Sequence, residues 1–165
     1  MINFYKNKKI LITGATGFKG SWLCLWLKML GANVYGVGLK PINKDDLFNK
    51  IELKKKIKYK FFDIRDIYSL DLIFKKFKPT IVFHLAGQSI VTNSYLEPLY
   101  TFDVNIMGTA NILELTKKYT FVRSAVFITS DKCYENKEQS TGYKETDEIG
   151  GKDPYSASKA AAEIL

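Results

Sequence analysis

Two short stretches hold residue types that could move protons. In "DPYSASK", Asp153 to Lys159, an aspartate followed by proline reads as a helix N-cap with proline at the first helical position. That start places Tyr155 and Lys159 one turn apart on the same helix face. An ammonium beside a phenol favours the phenolate and lowers the tyrosine pKa, giving a base usable near neutral pH. In "TSDKCYEN", Thr129 to Asn136, a hydroxyl at Ser130, a carboxylate at Asp131 and an amine at Lys132 directly follow the apolar run "SAVFI". Charge at the end of a buried strand is costly unless exposed or paired, and ligand crevices in open α/β sheets gather at strand C-termini. The plainer reading makes Ser130 a strand-ending cap and Asp131 with Lys132 a solvated surface pair. A Tyr-x-x-x-Lys pair also arises by chance on amphipathic helices, so its meaning depends on the rest of the chain.

The rest includes "TGATGFKG", where Gly14, Gly17 and Gly20 are spaced GxxGxxG with Thr16, Phe18 and Lys19 among them. Glycine is needed where a turn is tight, where backbone approaches a pyrophosphate, and where helix packs close to strand; the helix N-terminus then meets the negative charge. The triplet lies between a strand and a helix, the context that supports a dinucleotide fingerprint. An acid for the ribose is expected roughly 20 residues further on, yet "VYGVGLKP" offers Lys40 and no carboxylate before Asp45. The choice between NAD and NADP therefore stays open, since a cation there could meet a 2′-phosphate. Asp63, with Ile64, ends the third strand and could accept from an adenine amino group, while Asp66 reads as the N-cap of the helix at Ile67. Leu85, Ala86 and Gly87, with Gln88, follow the fourth strand and are expected against the cofactor; Asn105 either joins them or ties backbone together. His84, the only histidine, reads as a packed structural residue.

The elements that would position these groups alternate. Short strands are expected at Lys9 to Thr13, Asn33 to Val37, Lys58 to Phe62, Thr80 to Ala86 and Ser124 to Thr129. Helical patterns fall at Ser21 to Leu30, Asp45 to Lys56, Ile67 to Phe77 and Leu96 to Lys118. Strand and helix in alternation imply right-handed crossovers and a parallel sheet covered on both faces. The fold class is α/β, a Rossmann-type doubly wound parallel sheet, with residues 1–165 forming one dinucleotide-binding domain. Ser21 to Leu30 is apolar nearly all round, which makes Trp22 and Trp26 core residues.

Composition narrows the partners. At 165 residues and 46% hydrophobic content the chain can bury one sizeable core. The net charge of +8 could suggest a polyanion, but only Arg65 and Arg123 are arginines. Lysine lacks the planar fork suited to phosphate and guanine, so solvated lysine faces are expected and no nucleic acid. Cys24 and Cys133 have no metal-type neighbours and read as free thiols of a reducing compartment; no metal site is expected. No apolar run suits a signal peptide or a membrane span, which makes a cytoplasmic protein without a membrane partner the expectation.

GxxGxxG after the first strand, "HLAGQ" after the fourth, Asn105 in "NIMGT", Ser130 and Tyr155-x-x-x-Lys159 together resemble the extended short-chain dehydrogenase/reductases that act on nucleotide sugars. Within that group "TGFKGSWL", "TSDKCYEN" and "DPYSASKAAAE" are most similar to the CDP-glucose 4,6-dehydratases. The resemblance implies NAD as cofactor, a nucleotide sugar as substrate, and a homodimer or tetramer built on the helices around Leu96 to Lys118 and on the Tyr155 helix. It further implies that Tyr155, helped by Ser130 and Lys159, takes the proton of the sugar 4-hydroxyl as hydride leaves C4. The new ketone acidifies C5; a base then removes that proton, an acid protonates the departing 6-hydroxyl, and hydride returns to C6. Asp131 is the implied acid, which calls for a carboxyl raised by burial. Lys132 stands where the dTDP-glucose enzymes carry a glutamate, and would need a depressed pKa to act as base; orienting the sugar or a water is its other implied role. Thr92 and Asn93 depart from an arginine pair usual in the group, and Gln139 and Thr141 from nearby tryptophans, so another NDP-sugar dehydratase or epimerase is the alternative, with a non-catalytic dinucleotide-binding module behind it. Members of the group continue into a C-terminal substrate domain beyond "AAAEIL"; the chain is expected to be truncated before it and to turn over no sugar alone.

Overall fold

Five parallel strands, β1 (Lys9–Thr13), β2 (Asn33–Gly38), β3 (Lys58–Phe61), β4 (Ile81–His84) and β5 (Ser124–Phe127), form one sheet in the order β3-β2-β1-β4-β5. The computed structural model describes residues 3–165. Its helices are α1 (Phe18–Met29), α2 (Leu47–Lys50), α3 (Ile67–Phe77), α4 (Val91–Leu96), α5 (Pro98–Phe102), α6 (Gly108–Lys118) and α7 (Pro154–Ile164). The chain divides into two units. One runs through Ala86 and resumes over Asn111–Phe127; the other comprises Gly87–Ala110 and Ile128–Leu165.

The first unit holds the whole sheet. Central β1 is buried from Ile10 to Thr13, and its side chains alternate between two cores. Ile10 and Ile12 pack with Cys24, Leu27, Val34, Phe48 and Leu53 on one face. Leu11 packs on the other with Val37, Leu70, Phe74, Val82, Ile112 and Leu115. Each such burial contributes roughly 2 kcal/mol before entropy is counted. Register is continuous across the centre, with Ile10 opposite both Val34 and Ile81. The β3 edge exposes Lys58 and Lys60, charges that discourage further strand pairing.

Four expectations change. Trp22 and Trp26 are 50% and 62% exposed, not core. α1 turns Gly20, Cys24 and Leu27 toward the sheet, and residues two positions on from that stripe point the opposite way. Asp45 to Lys56 is no single helix but α2 and a 3₁₀ turn at Leu53–Lys55, separated by Glu52 in a left-handed conformation. The long helix begun at Leu96 is broken: α4 ends there because Pro98, at the first position of α5, disfavours helix before it. A π-helical segment, Asp103–Met107, then precedes α6. β4 and β5 are also shorter than Thr80 to Ala86 and Ser124 to Thr129, leaving Leu85, Ala86, Ile128 and Thr129 in loops.

In the second unit α7 packs against α4, α5, the π segment and a 3₁₀ turn at Asp131–Cys133. Among the described residues no helix is long and apolar enough to cross a membrane, and no group of side chains is arranged to hold a metal ion. Cys24 and Cys133 are free thiols, and burial pushes the Cys24 thiol up to about 12.

Candidate active site

In the first unit β1 delivers the chain into the glycine turn. Gly14 has φ +70°, and a Cβ there would stand 2.7 Å from Ala86 N and 2.8 Å from the Leu85 carbonyl carbon, so Leu85 and Ala86 are fixed against the turn by backbone contact. A Cβ at Gly20 would lie 2.0 Å from Gly14 O, which only glycine permits as α1 leaves the turn. Gly17 is the N-cap of α1; no side chain caps it and no acid occupies the first turn. The N–H groups beside Thr16, Phe18 and Lys19 thus start a helix open to an anion, and the residues present fit a pyrophosphate.

Thr13 fastens this end of the sheet. Its Oγ1 lies 2.7 Å from His84 Nδ1 and accepts the Ala86 N–H at 3.2 Å. Both side chains are buried, and the His84 ring meets Phe127 edge-on, the structural role expected of it. Asp63 is held by Arg65, whose backbone N–H, Nε and Nη2 donate at 2.9, 3.0 and 2.8 Å. Those bonds hold its carboxyl below the usual range despite partial burial. An adenine amino group would share an acceptor that already has a cation. Asn111 donates to the Ile64 and Arg65 carbonyls, both at 3.1 Å, and so fixes the loop after β3. Asp66 caps α3 by accepting from Ser69 N, as its position predicts.

The second unit carries the residues expected to transfer protons. Asp153 caps α7: its carboxylate accepts from Ser156 N at 2.9 Å and Ser156 Oγ at 2.6 Å, with Pro154 in the first turn. Burial raises that carboxyl, but the Ser156 bonds and nearby Lys132 outweigh it, leaving it below its ordinary value. Tyr155 is buried on this helix, and Lys159 one turn on donates to the Ile128 carbonyl at 3.1 Å. A Cβ on Gly87 would stand 3.0 Å from Asn105 Oδ1 and 3.4 Å from Lys159 Nζ, so Gly87, Asn105 and Lys159 converge.

Asn105 is tied to backbone. Its Oδ1 accepts the Gln88 N–H at 2.8 Å, and its Nδ2 donates to Gln88 O at 3.0 Å and Ser158 Oγ at 2.8 Å. Ser158 in turn donates to the Tyr155 carbonyl at 2.6 Å. Gln88 spends its side chain on Ile90 and Thr101. Ser130 donates to Asp131 Oδ1 at 3.1 Å and accepts from Lys132 N at 3.3 Å. Asp131 and Lys132 are exposed, so the burial that an acid at Asp131 calls for is not supplied by the described residues. Thr13, Asn111 and Ser158 are the positioning residues that pattern reading passed over; each is a polar side chain inside an apolar or small-residue stretch, a weak signal by itself.

The model of one protein family, described as GDP-mannose 4,6 dehydratase, matches residues 11–165. A CDP-glucose 4,6-dehydratase of Salmonella typhimurium is 45% identical over 163 residues, covering 99% of this chain and 45% of that protein. Among solved structures, a Thermotoga maritima UDP-glucose 4-epimerase with UDP-glucose aligns with a TM-score of 0.82 and 28% identity over 94% of this chain and 49% of its own. A Thermus thermophilus UDP-glucose 4-epimerase in complex with NAD aligns with a TM-score of 0.79 and 30% identity over the same shares, 94% and 49%. The chain spans about half the length of the curated relatives it matches.

Proposed function

Because this chain belongs to the GDP-mannose 4,6 dehydratase family, we propose that the whole protein is an NAD-dependent nucleotide-sugar 4,6-dehydratase that converts CDP-glucose to CDP-4-keto-6-deoxyglucose. The observation that carries the reading is the 45% identity to the Salmonella CDP-glucose enzyme over 99% of this chain, a span that includes both the glycine turn and the α7 pair. Thr16, Gly17, Phe18, Lys19 and Gly20 would receive the cofactor pyrophosphate at the open N-terminus of α1; Asp63 and Ile64 would meet the adenine, and Leu85, Ala86 and Gly87 the remainder. Bound there, NAD would supply a hydride acceptor for C4 and a donor for C6. Tyr155 accepts the 4-hydroxyl proton, with Lys159 one helical turn on and Ser130 orienting the oxygen. Asp131 would protonate the leaving 6-hydroxyl once the rest of the protein encloses it, and Lys132 orients the sugar or a water.

NAD is favoured over NADP by the NAD-bound epimerase neighbour, whereas the exposed Lys40 beyond β2 keeps NADP as the competitor to assay. A homodimer suits the second unit, where Leu96 and Leu99 are 80% and 83% exposed. Two free thiols fit a reducing cytoplasm, and the product is a deoxysugar nucleotide of the kind used in polysaccharide biosynthesis. The test incubates the whole protein with NAD and a panel of NDP-glucose and NDP-mannose substrates, followed by mass spectrometry. Loss of one water from CDP-glucose alone is expected; inversion at C4 without loss of mass would make it an epimerase, and no change with any substrate would leave a binding module.

A further inference from the structure

A cavity of about 590 Å³ opens at the end of the sheet remote from the glycine turn, where β1, β4 and β5 begin. Five residues of β1 separate the two places, roughly 16 Å of strand. Lys8, Lys9, Lys78 and Arg123 line it, with Phe4 and Ile81 as apolar wall and no acidic side chain among the described residues.

Of the chain's arginines, Arg65 is tied to Asp63, whereas Arg123 has no carboxylate partner among the described residues, nor have Lys9 and Lys78. Lys8 instead rests its ammonium over the Phe4 ring, 4.8 Å from the centroid. Several like charges around one concavity raise its potential, and a ligand with two or more negative charges relieves that repulsion.

Thr80 N donates to Lys9 O at 2.8 Å and Arg123 N to Thr80 O at 2.8 Å, so the wall is braced by backbone rather than by its cationic side chains. Four non-glycine residues among those described have positive φ, and two of them, Asn7 at 63° and Lys78 at 52°, line this cavity. Helices commonly end on glycine in that conformation, so lysine at Lys78 carries a strain that glycine would remove. The volume lies within the usual range for small-molecule pockets, about 300 to 1,000 Å³.

We propose that this cavity is a second anion site taking a small ligand that carries a diphosphate, with the lysine and arginine heads on the phosphates and the Phe4 side against any apolar remainder. Its test is a ¹H–¹⁵N titration of the labelled protein with inorganic pyrophosphate and, separately, ADP at low ionic strength. The amides of Lys9, Thr80 and Ser124 should move saturably, while those of Gly17 and Lys19 report the cofactor turn independently. Arg123→Gln and Lys78→Gln should each weaken binding about tenfold, and Lys54→Gln, an exposed lysine elsewhere, should leave it unchanged. ADP binding more tightly than pyrophosphate would assign the apolar wall to a nucleoside; equal affinity would confine recognition to phosphate. Shifts confined to the glycine turn, or a double variant of Arg123 and Lys78 that binds like the wild type, would overturn the proposal.

Discussion

At Asp131 the chemistry required and the surroundings observed pull apart. A carboxylic acid that must donate near neutral pH needs a raised pKa, which comes from burial or from a neighbouring negative charge. Asp131 is exposed and takes a hydrogen bond from Ser130, so neither source is present around it among the described residues. The acid role therefore depends on whatever else encloses the sugar in the whole protein. Tyr155 is in the opposite position, buried on a capped helix with Lys159 one turn on. Tyr155→Phe should lower single-turnover C4 oxidation by roughly 10² to 10⁴ while NAD affinity, read by fluorescence titration, stays within a few-fold. A loss of both together would point to a folding role. Lys132 is exposed and lies close enough to Asp153 to help hold that carboxyl down, which suits orientation better than proton abstraction. Lys132→Met should accordingly leave solvent deuterium incorporation at C5 within a few-fold of the wild type; its abolition would make Lys132 the base.

Helices in this chain differ in how openly the sequence declares them. α3 is legible from end to end, because Asp66 supplies a cap, apolar residues recur at Leu70, Ile73, Phe74 and Phe77, and the helix stops where β4 must begin. The interruption between α4 and α5 could be read from Pro98, but the π segment could not, since one extra residue in a turn leaves the apolar pattern nearly unchanged. It places Asn105 where one side chain satisfies both backbone polar groups of Gln88 and reaches Ser158 on α7. Thr109 Oγ1 answers the irregularity by donating to Asn105 O at 2.6 Å. Contacts of that kind join positions far apart in the chain, as Asn111 does with Ile64, so no local window reports them. The outward face of α1 failed for another reason: a helix apolar all round does not declare which side meets the sheet. Asn105→Ala would remove three hydrogen bonds, two to the part-buried backbone of Gln88 and one to buried Ser158, and should cost about 3 kcal/mol in urea unfolding. Asp153→Ala, which removes only a cap, should cost about 1 kcal/mol. Equal costs would mean that the π segment is not the fastening point inferred here.

Across the whole molecule a surplus of lysine makes each well-placed carboxylate matter more. Asp71 on α3 accepts from Lys75 at 2.6 Å, from Lys118 at the end of α6 at 2.9 Å, and from the Tyr119 hydroxyl at 2.7 Å, joining two helices that cover the same sheet face. Hydrogen bonds from Lys75, Lys118 and Tyr119 hold its carboxyl well below the usual carboxylate range. Asp63, gripped by Arg65, is lowered for the same reason. A carboxyl with a lower pKa in the folded chain than in the unfolded one stabilises the fold fully above the unfolded value, near 4, and loses that contribution as pH falls toward the folded value. Thermal melts of the wild type and of Asp71→Asn should therefore be furthest apart at pH 6 to 7 and converge as pH drops below about 4. The net charge of +8 would also rise as carboxylates protonate, adding repulsion to both proteins alike, so the difference between their midpoints isolates Asp71 from the general acid effect. A gap that stayed constant from pH 7 to pH 3 would place the Asp71 contribution in packing rather than in charge.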